Sequence, residues 1–124
     1  MMKKLLAVAT LGLAVLGINT VLAHGDAQAK HGGTVQSAGD LGFELVAQAD
    51  GAALYVEDHG KPMAPTGMSG KLTVLSGSAK SEAALTPAGD KLVATGVKLA
   101  KGDKVVAALT TANKKAITVR FTVK

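Results

Sequence analysis

A chain of 124 residues with no cysteine, no tryptophan and three aromatic side chains (Phe43, Tyr55 and Phe121) has room for one small domain packed on aliphatic residues. The missing thiols exclude disulfides and thiolate metal sites, and the few rings leave little surface for stacking on bases or sugars. The formal net charge of +5 is unevenly spread: residues 24–70 carry two lysines and six acids, whereas residues 71–124 carry ten basic residues and three acids. An acidic first half that also holds all three histidines favours cations, and the scattered lysines of the second half argue against nucleic acid as a partner.

The chain opens with a short basic start (Lys3, Lys4), an apolar run from Leu5 to Leu16 and a small-residue end at Val21-Leu22-Ala23. This is the pattern of a secretory signal peptide, residues 1–23, and it implies export to the periplasm with no membrane association after cleavage. A membrane anchor fits less well, because Gly12 and Gly17 interrupt the run and no basic stop follows it. Ala27-x-Ala29 also satisfies the small-residue rule but lies far from the apolar run, so cleavage after Ala23 is expected, with His24 as the new amino terminus. Residues 24–33, HGDAQAKHGG, lack helical or strand periodicity and read as a flexible, histidine-bearing leader.

From residue 34 onward the pattern is that of short strands. Thr34 to Ser37 suits an edge strand, and Gly42 to Gln48 and Ala52 to Asp58 alternate around Asp50-Gly51 as a hairpin. In the second of these strands Leu54 and Val56 share one face and Tyr55, Glu57 and His59 the other. Gly60 and Pro62 are expected to end the strand, leaving Ala64 to Gly70 irregular. Further strands are predicted at Leu72–Leu75, Glu82–Leu85, Leu92–Val97, Val105–Thr110 and Ala116–Val123, separated by turns at Ser76-Gly77-Ser78, Thr86 to Asp90, Lys101-Gly102-Asp103 and Ala112-Asn113-Lys114. Seven or eight short strands at this spacing, with no helical period, predict an all-β fold over residues 34–124: an antiparallel two-sheet sandwich of immunoglobulin-like type.

The candidate chemistry is metal binding. A terminal His24 presents an amine and a ring nitrogen to one ion, an arrangement suited to Cu(II). His31 precedes Gly32-Gly33, where the backbone can bend close to another element. His59 follows Glu57-Asp58, and a carboxylate beside an imidazole either ligates an ion with it or orients it. Met63 and Met68 occupy the next loop, and thioethers select soft ions such as Cu(I). Each of these has an ordinary counterpart: a solvated loop histidine, a capped turn, or a methionine that fills a gap over the end of the domain. Enzyme constellations are scarce, since no HExxH, nucleophile elbow or phosphate loop occurs, and the protein is read as not an enzyme.

His31-Gly32-Gly33, Gly39-Asp40, Glu44-Leu45-Val46 and Tyr55-Val56-x-Asp58-His59-Gly60-Lys61-Pro62 together resemble small periplasmic proteins associated with bacterial heavy-metal efflux loci. Similar segments occur in the periplasmic adaptor subunits of resistance-nodulation-division metal pumps. The likeness runs by motif over residues 31–75 and implies a periplasmic β domain that handles a transition metal near an efflux system, with His31, Asp58 and His59 carried over as site residues. An amino-terminal histidine is also similar to the copper site of periplasmic copper carriers with sandwich folds.

The reading that results is a copper-preferring metal-binding protein that buffers or delivers metal, with a candidate site of His24, His31, Glu57, Asp58, His59, Met63 and Met68. Other divalent transition metals stay open as the cofactor, and an efflux adaptor is the expected protein partner. Two alternatives belong to other classes. One is an envelope interaction module with no specific metal site, and the other is a copper oxidase with a histidine brace, which no substrate groove in the pattern supports.

Overall fold

A computed structural model describes residues 28–124, so the signal peptide and His24 lie outside the described residues. Nine strands run in chain order: β1 (Thr34–Ala38), β2 (Leu41–Gln48), β3 (Gly51–Asp58), β4 (Lys61–Met63), β5 (Ser69–Ser76), β6 (Ala79–Ala88), β7 (Lys91–Thr95), β8 (Lys104–Thr110) and β9 (Ala116–Thr122). Every ladder is antiparallel, in the order β1-β2-β3-β7-β6-β5-β8-β9, with β4 added to β3.

Where the sequence suggests two facing sheets, the ladders run as one. The reason is β6, whose residues Ala79 to Leu85 pair with β5 and whose residues Thr86 to Ala88 pair with β7. A single strand therefore carries the sheet from one half of the molecule to the other, and the sheet curls almost into a barrel. Pro87 is tolerated because it lies past Leu85, where the β5 ladder has ended and one side of β6 is already unpaired. The two ends of the sheet, β1 and β9, lie side by side without a ladder between them. Just past β9, the Lys124 backbone N–H donates to Thr34 Oγ1 on β1 at 3.3 Å.

Alternation decides what fills the barrel. Phe43, Leu45, Leu54, Val56, Leu72, Val74, Leu92, Val105, Leu109, Val119 and Phe121 all point inward and are at most 3 % exposed. The two phenylalanines are the only rings in this core, and Tyr55 faces outward. On β9 the predicted faces hold: Ile117, Val119 and Phe121 are buried while Thr118, Arg120 and Thr122 are exposed.

Two hairpins differ from expectation in ways that matter for the site. In the first, the loop is Ala49-Asp50 and Gly51 already pairs with Gln48, so the glycine is the first residue of β3 and not part of the turn. It is needed because β7 passes close by: a Cβ at Gly51 would stand 1.9 Å from the Ala94 carbonyl oxygen. In the second, β3 does not run out into a loop. Asp58 pairs with Lys61 across a two-residue turn in which His59 (φ 54°) and Gly60 (φ 81°) are both left-handed, the type I′ geometry. β4 then takes up β3 at Val56, one residue beyond the last β7 pair at Tyr55, and as an edge strand it accommodates Pro62. His59 therefore leaves the row of Tyr55 and Glu57 and sits at the tip of the hairpin.

Gly51→Ala forces β3 and β7 apart at their first pair. It should lower stability by about 2 kcal/mol or more in urea or thermal unfolding. A melting curve unchanged from that of the parent would show that the β3–β7 contact is looser than described.

Candidate functional site

Two clusters of polar side chains form on the barrel, and the six sequence-predicted ligands among the described residues divide between them. The first surrounds Glu44. Alternation places Glu44 on the outer face of β2, opposite Val35 on β1 and Tyr55 on β3, where solvent exposure is expected. It is instead 6 % exposed, because residues 30–33 fold over it. Its Oε1 accepts from the Lys30 backbone N–H at 3.0 Å, and its Oε2 accepts from the N–H groups of His31 and Gly33, both at 2.8 Å. The His31 ring completes the set, with Nδ1 3.0 Å from Oε1.

Burial by itself would raise the Glu44 carboxyl, but the three backbone donors and the His31 ring outweigh it and hold the group at about 2, against an ordinary 4.5. The His31 ring lies flat on Tyr55, centroids 3.6 Å apart and planes 5° from parallel. Lys30 adds a second anchor, with Nζ 2.6 Å from Glu57 Oε2 and 3.1 Å from the Gly60 carbonyl oxygen. The leader is thus not free throughout: residues 30–33 are pinned to the barrel, chiefly by one carboxylate.

The second cluster lies at the mouth of the barrel, where three turns and a loop meet. A groove of about 540 Å³ is bounded by Asp40 after β1, Asp58 and His59 at the β3–β4 tip, Met63 and Met68 on either side of the connecting loop, and Asn113 in the β8–β9 turn. The loop holds its shape through a turn in which the Met68 N–H donates to the Pro65 carbonyl at 3.0 Å, with Gly67 left-handed (φ 80°) as a type II turn requires. That turn drives the Met68 side chain into the core, at 3 % exposure, while Met63 is half-buried against the same core. At the tip His59 Nδ1 lies 2.6 Å from Asp58 Oδ1, leaving Nε2 as the unengaged ring nitrogen. The His59 side chain is 86 % exposed, so nothing but Asp58 restrains it.

Asp58, His59, Met63 and Met68 therefore border one groove. His31 does not join them, being stacked on Tyr55 and tied to Glu44, and Glu57 is engaged by Lys30. His24 lies outside the described residues. Among the described residues no group of three or more histidines and acids is placed to hold a metal, so a site built only from imidazole and carboxylate does not form. What the groove offers is one imidazole with its partner carboxylate, the Asp40 carboxylate and two thioethers, that of Met68 buried, with Lys115 as a cation on the same border.

Sequence reasoning passed over Glu44 as a functional residue, although its place on the outer face was readable from alternation. What alternation could not convey is that the Lys30–Gly33 segment returns to cover it. Asp40 and Asn113 were missed for a related reason: they are distant turn residues that only the strand order brings to the mouth.

Comparison with known protein families, with curated proteins and with solved structures finds no match to this chain.

The Glu44 anchor has a definite pH signature. A carboxyl held at about 2 in the fold and near 4.5 in the unfolded chain stabilises the fold above pH 4.5, and that stabilisation is lost as pH falls from 4.5 towards 2. Its size is on the order of 3 kcal/mol at neutral pH. Glu44→Gln should remove most of this at pH 7 and flatten the dependence between pH 5 and 2 in a series of urea unfolding curves. Parent and variant losing stability in parallel across that window would show that Glu44 is not the anchor.

Proposed function

We propose that this protein is a non-catalytic, exported metal-binding protein that prefers copper and holds it at the barrel mouth. The observation that carries this reading is the convergence of His59, Met63 and Met68 on one groove. Two thioethers and one imidazole are a poor set for zinc or for hard cations and a good one for Cu(I). Asp58 is better suited to orienting than to ligating: it holds Nδ1 of His59 and leaves Nε2 for the ion, the usual partnership of a ligand histidine with a carboxylate. The His59-Gly60 turn and the Pro65–Met68 turn bring His59 and Met68 to the border of the same groove. The aliphatic core beneath lets the fold stand before the ion arrives.

On this reading His31 and Glu57 serve the leader clip instead of the metal. Buffering or delivery of copper to a periplasmic efflux adaptor is the role that suits an ion held at an open mouth by a mobile, exposed histidine. At the rim the Asp40 carboxylate adds to the attraction for cations, against the opposing charge of Lys115.

Titration of the purified protein with Cu(I) against a chromophoric competitor, and with Zn(II) in parallel, tests the proposal. One Cu(I) per chain is expected, with much weaker Zn(II) binding. His59→Ala and Met63→Leu should each weaken Cu(I) by at least about tenfold, and Asp58→Asn by a smaller factor. Met68→Leu conserves core volume and should lower affinity while leaving the thermal melt almost unchanged. Equal affinity for the two metals, or Cu(I) binding indifferent to His59 and Met63, would overturn the assignment.

A further inference from the structure

The Lys30 ammonium has two partners, and both belong to the hairpin that carries His59. Its Nζ lies 2.6 Å from Glu57 Oε2 and donates to the Gly60 carbonyl oxygen at 3.1 Å. Glu57 pairs with Pro62 across β3 and β4 and so marks the base of the hairpin tip, whereas Gly60 is the second residue of the turn itself. One cation from the leader therefore bridges the base and the apex of a tip that is otherwise closed by the Asp58–Lys61 pair.

Neither contact is an ordinary surface pair. The Glu57 side chain is only 14 % exposed, and its other carboxylate oxygen, Oε1, is buried without a hydrogen-bond partner among the described residues. Such a carboxylate depends on the one cation it has, because losing either partner of a shielded pair leaves the other charge uncompensated. The turn at the apex is equally dependent on support. His59 holds a left-handed φ of 54° that side chains with a Cβ seldom adopt, and a conformation of that kind persists only where its surroundings fix it.

Lys30 reaches these partners only while the leader is folded down. Glu44 sees to that by accepting the backbone N–H groups of Lys30, His31 and Gly33, and it makes no hydrogen bond to the tip itself. The contacts are continuous: Glu44 holds the leader, the leader presents Lys30, and Lys30 holds the turn that presents His59.

We propose that Lys30 is a positioning residue for the barrel-mouth site, through which the closed leader clip keeps the His59-Gly60 turn in the conformation that receives the ion. This rests on the metal-binding reading of the mouth and adds its regulation: affinity is high while the clip is shut and falls when it opens. An opened clip lets the turn sample other conformers, and apparent affinity drops with the fraction of molecules in the competent one.

Lys30→Met, Lys30→Arg and Glu44→Gln test this, each measured with and without Cu(I). In the metal-free protein Lys30→Met should speed amide exchange at Gly60 and Lys61 by NMR while the rest of the barrel and the melt stay almost unchanged. Its Cu(I) affinity should fall by about three- to tenfold. Lys30→Arg keeps the charge and should restore most of both readouts, and Glu44→Gln should reproduce both effects from a distance. Lys80→Met removes an exposed lysine paired only with Glu82 and should alter neither. Tip exchange or Cu(I) affinity unchanged in Lys30→Met would overturn the inference and leave the metal reading standing, as would an equal loss of affinity in Lys80→Met. Failure of the parent to bind Cu(I) would overturn the metal reading and the positioning role with it. The two failures are distinguishable because exchange at the tip is read without metal.

Discussion

A core made almost wholly of valine, leucine, isoleucine and alanine stays dry only if the sheet that carries it bends round to meet itself. With two rings in the interior and no cysteine, this chain has neither the bulk of aromatic packing nor a covalent clasp to compensate for an open sheet. The ten residues of β6 supply the bend, and the strands that follow bring the far end of the sheet back beside β1. Everything else sits where that curvature puts it. The mouth groove exists because turns from opposite ends of the chain, after β1 and after β8, are carried to the same rim. The seam exists because the curl stops one ladder short of closure.

The two histidines that the structure describes have similar surroundings in sequence and different fates. Each has Nδ1 against a carboxylate, yet Glu44 is buried with four donors around it while Asp58 is half-exposed with one. The difference is in what the backbone does nearby. Glycines after His31 let the chain fold flat onto the sheet, so that three N–H groups converge on a single carboxylate and the imidazole stacks on Tyr55. At His59 the left-handed turn throws the side chain away from the sheet and into solvent. A ring locked by stacking and by a buried carboxylate suits a structural clip; a ring held by one exposed partner can swing to meet an ion.

Much of the fold was legible because the strands alternate cleanly. The inward faces of β2, β3 and β9, the hairpin at residues 48–51 and the aliphatic character of the core all follow from residues two apart. Where legibility failed, the cause was an interaction between distant segments. Asp50-Gly51 reads as a turn, but the glycine answers to Ala94 on a strand more than forty residues later. Gly60 and Pro62 read as the end of a strand, yet His59-Gly60 turns the chain back and Pro62 finds a place on an edge. The long β6 was glimpsed only as Glu82 to Leu85, since its exposed alanines, serine and lysine carry no alternation and its strand character comes from its neighbours. Of the candidate site, the loop methionines and His59 could be singled out by ligand chemistry, whereas their separation from His31 could not be foreseen without the strand order.

The unequal charge of the two halves also takes on a physical meaning in the folded chain. Three acids of the first half are engaged within the fold: Glu44 and Glu57 hold the leader, and Asp58 holds His59. The basic residues of the second half are mostly unspent, since Glu82 alone serves both Lys71 and Lys80, and Lys104 and Arg120 have no acid beside them. Charge that is already paired within the fold acts more weakly on a partner, so among the described residues most of the unpaired charge is basic. The mouth, with its soft donors, and the outer face of β8 and β9, with Lys104 and Arg120, therefore present different chemistries on one curled sheet.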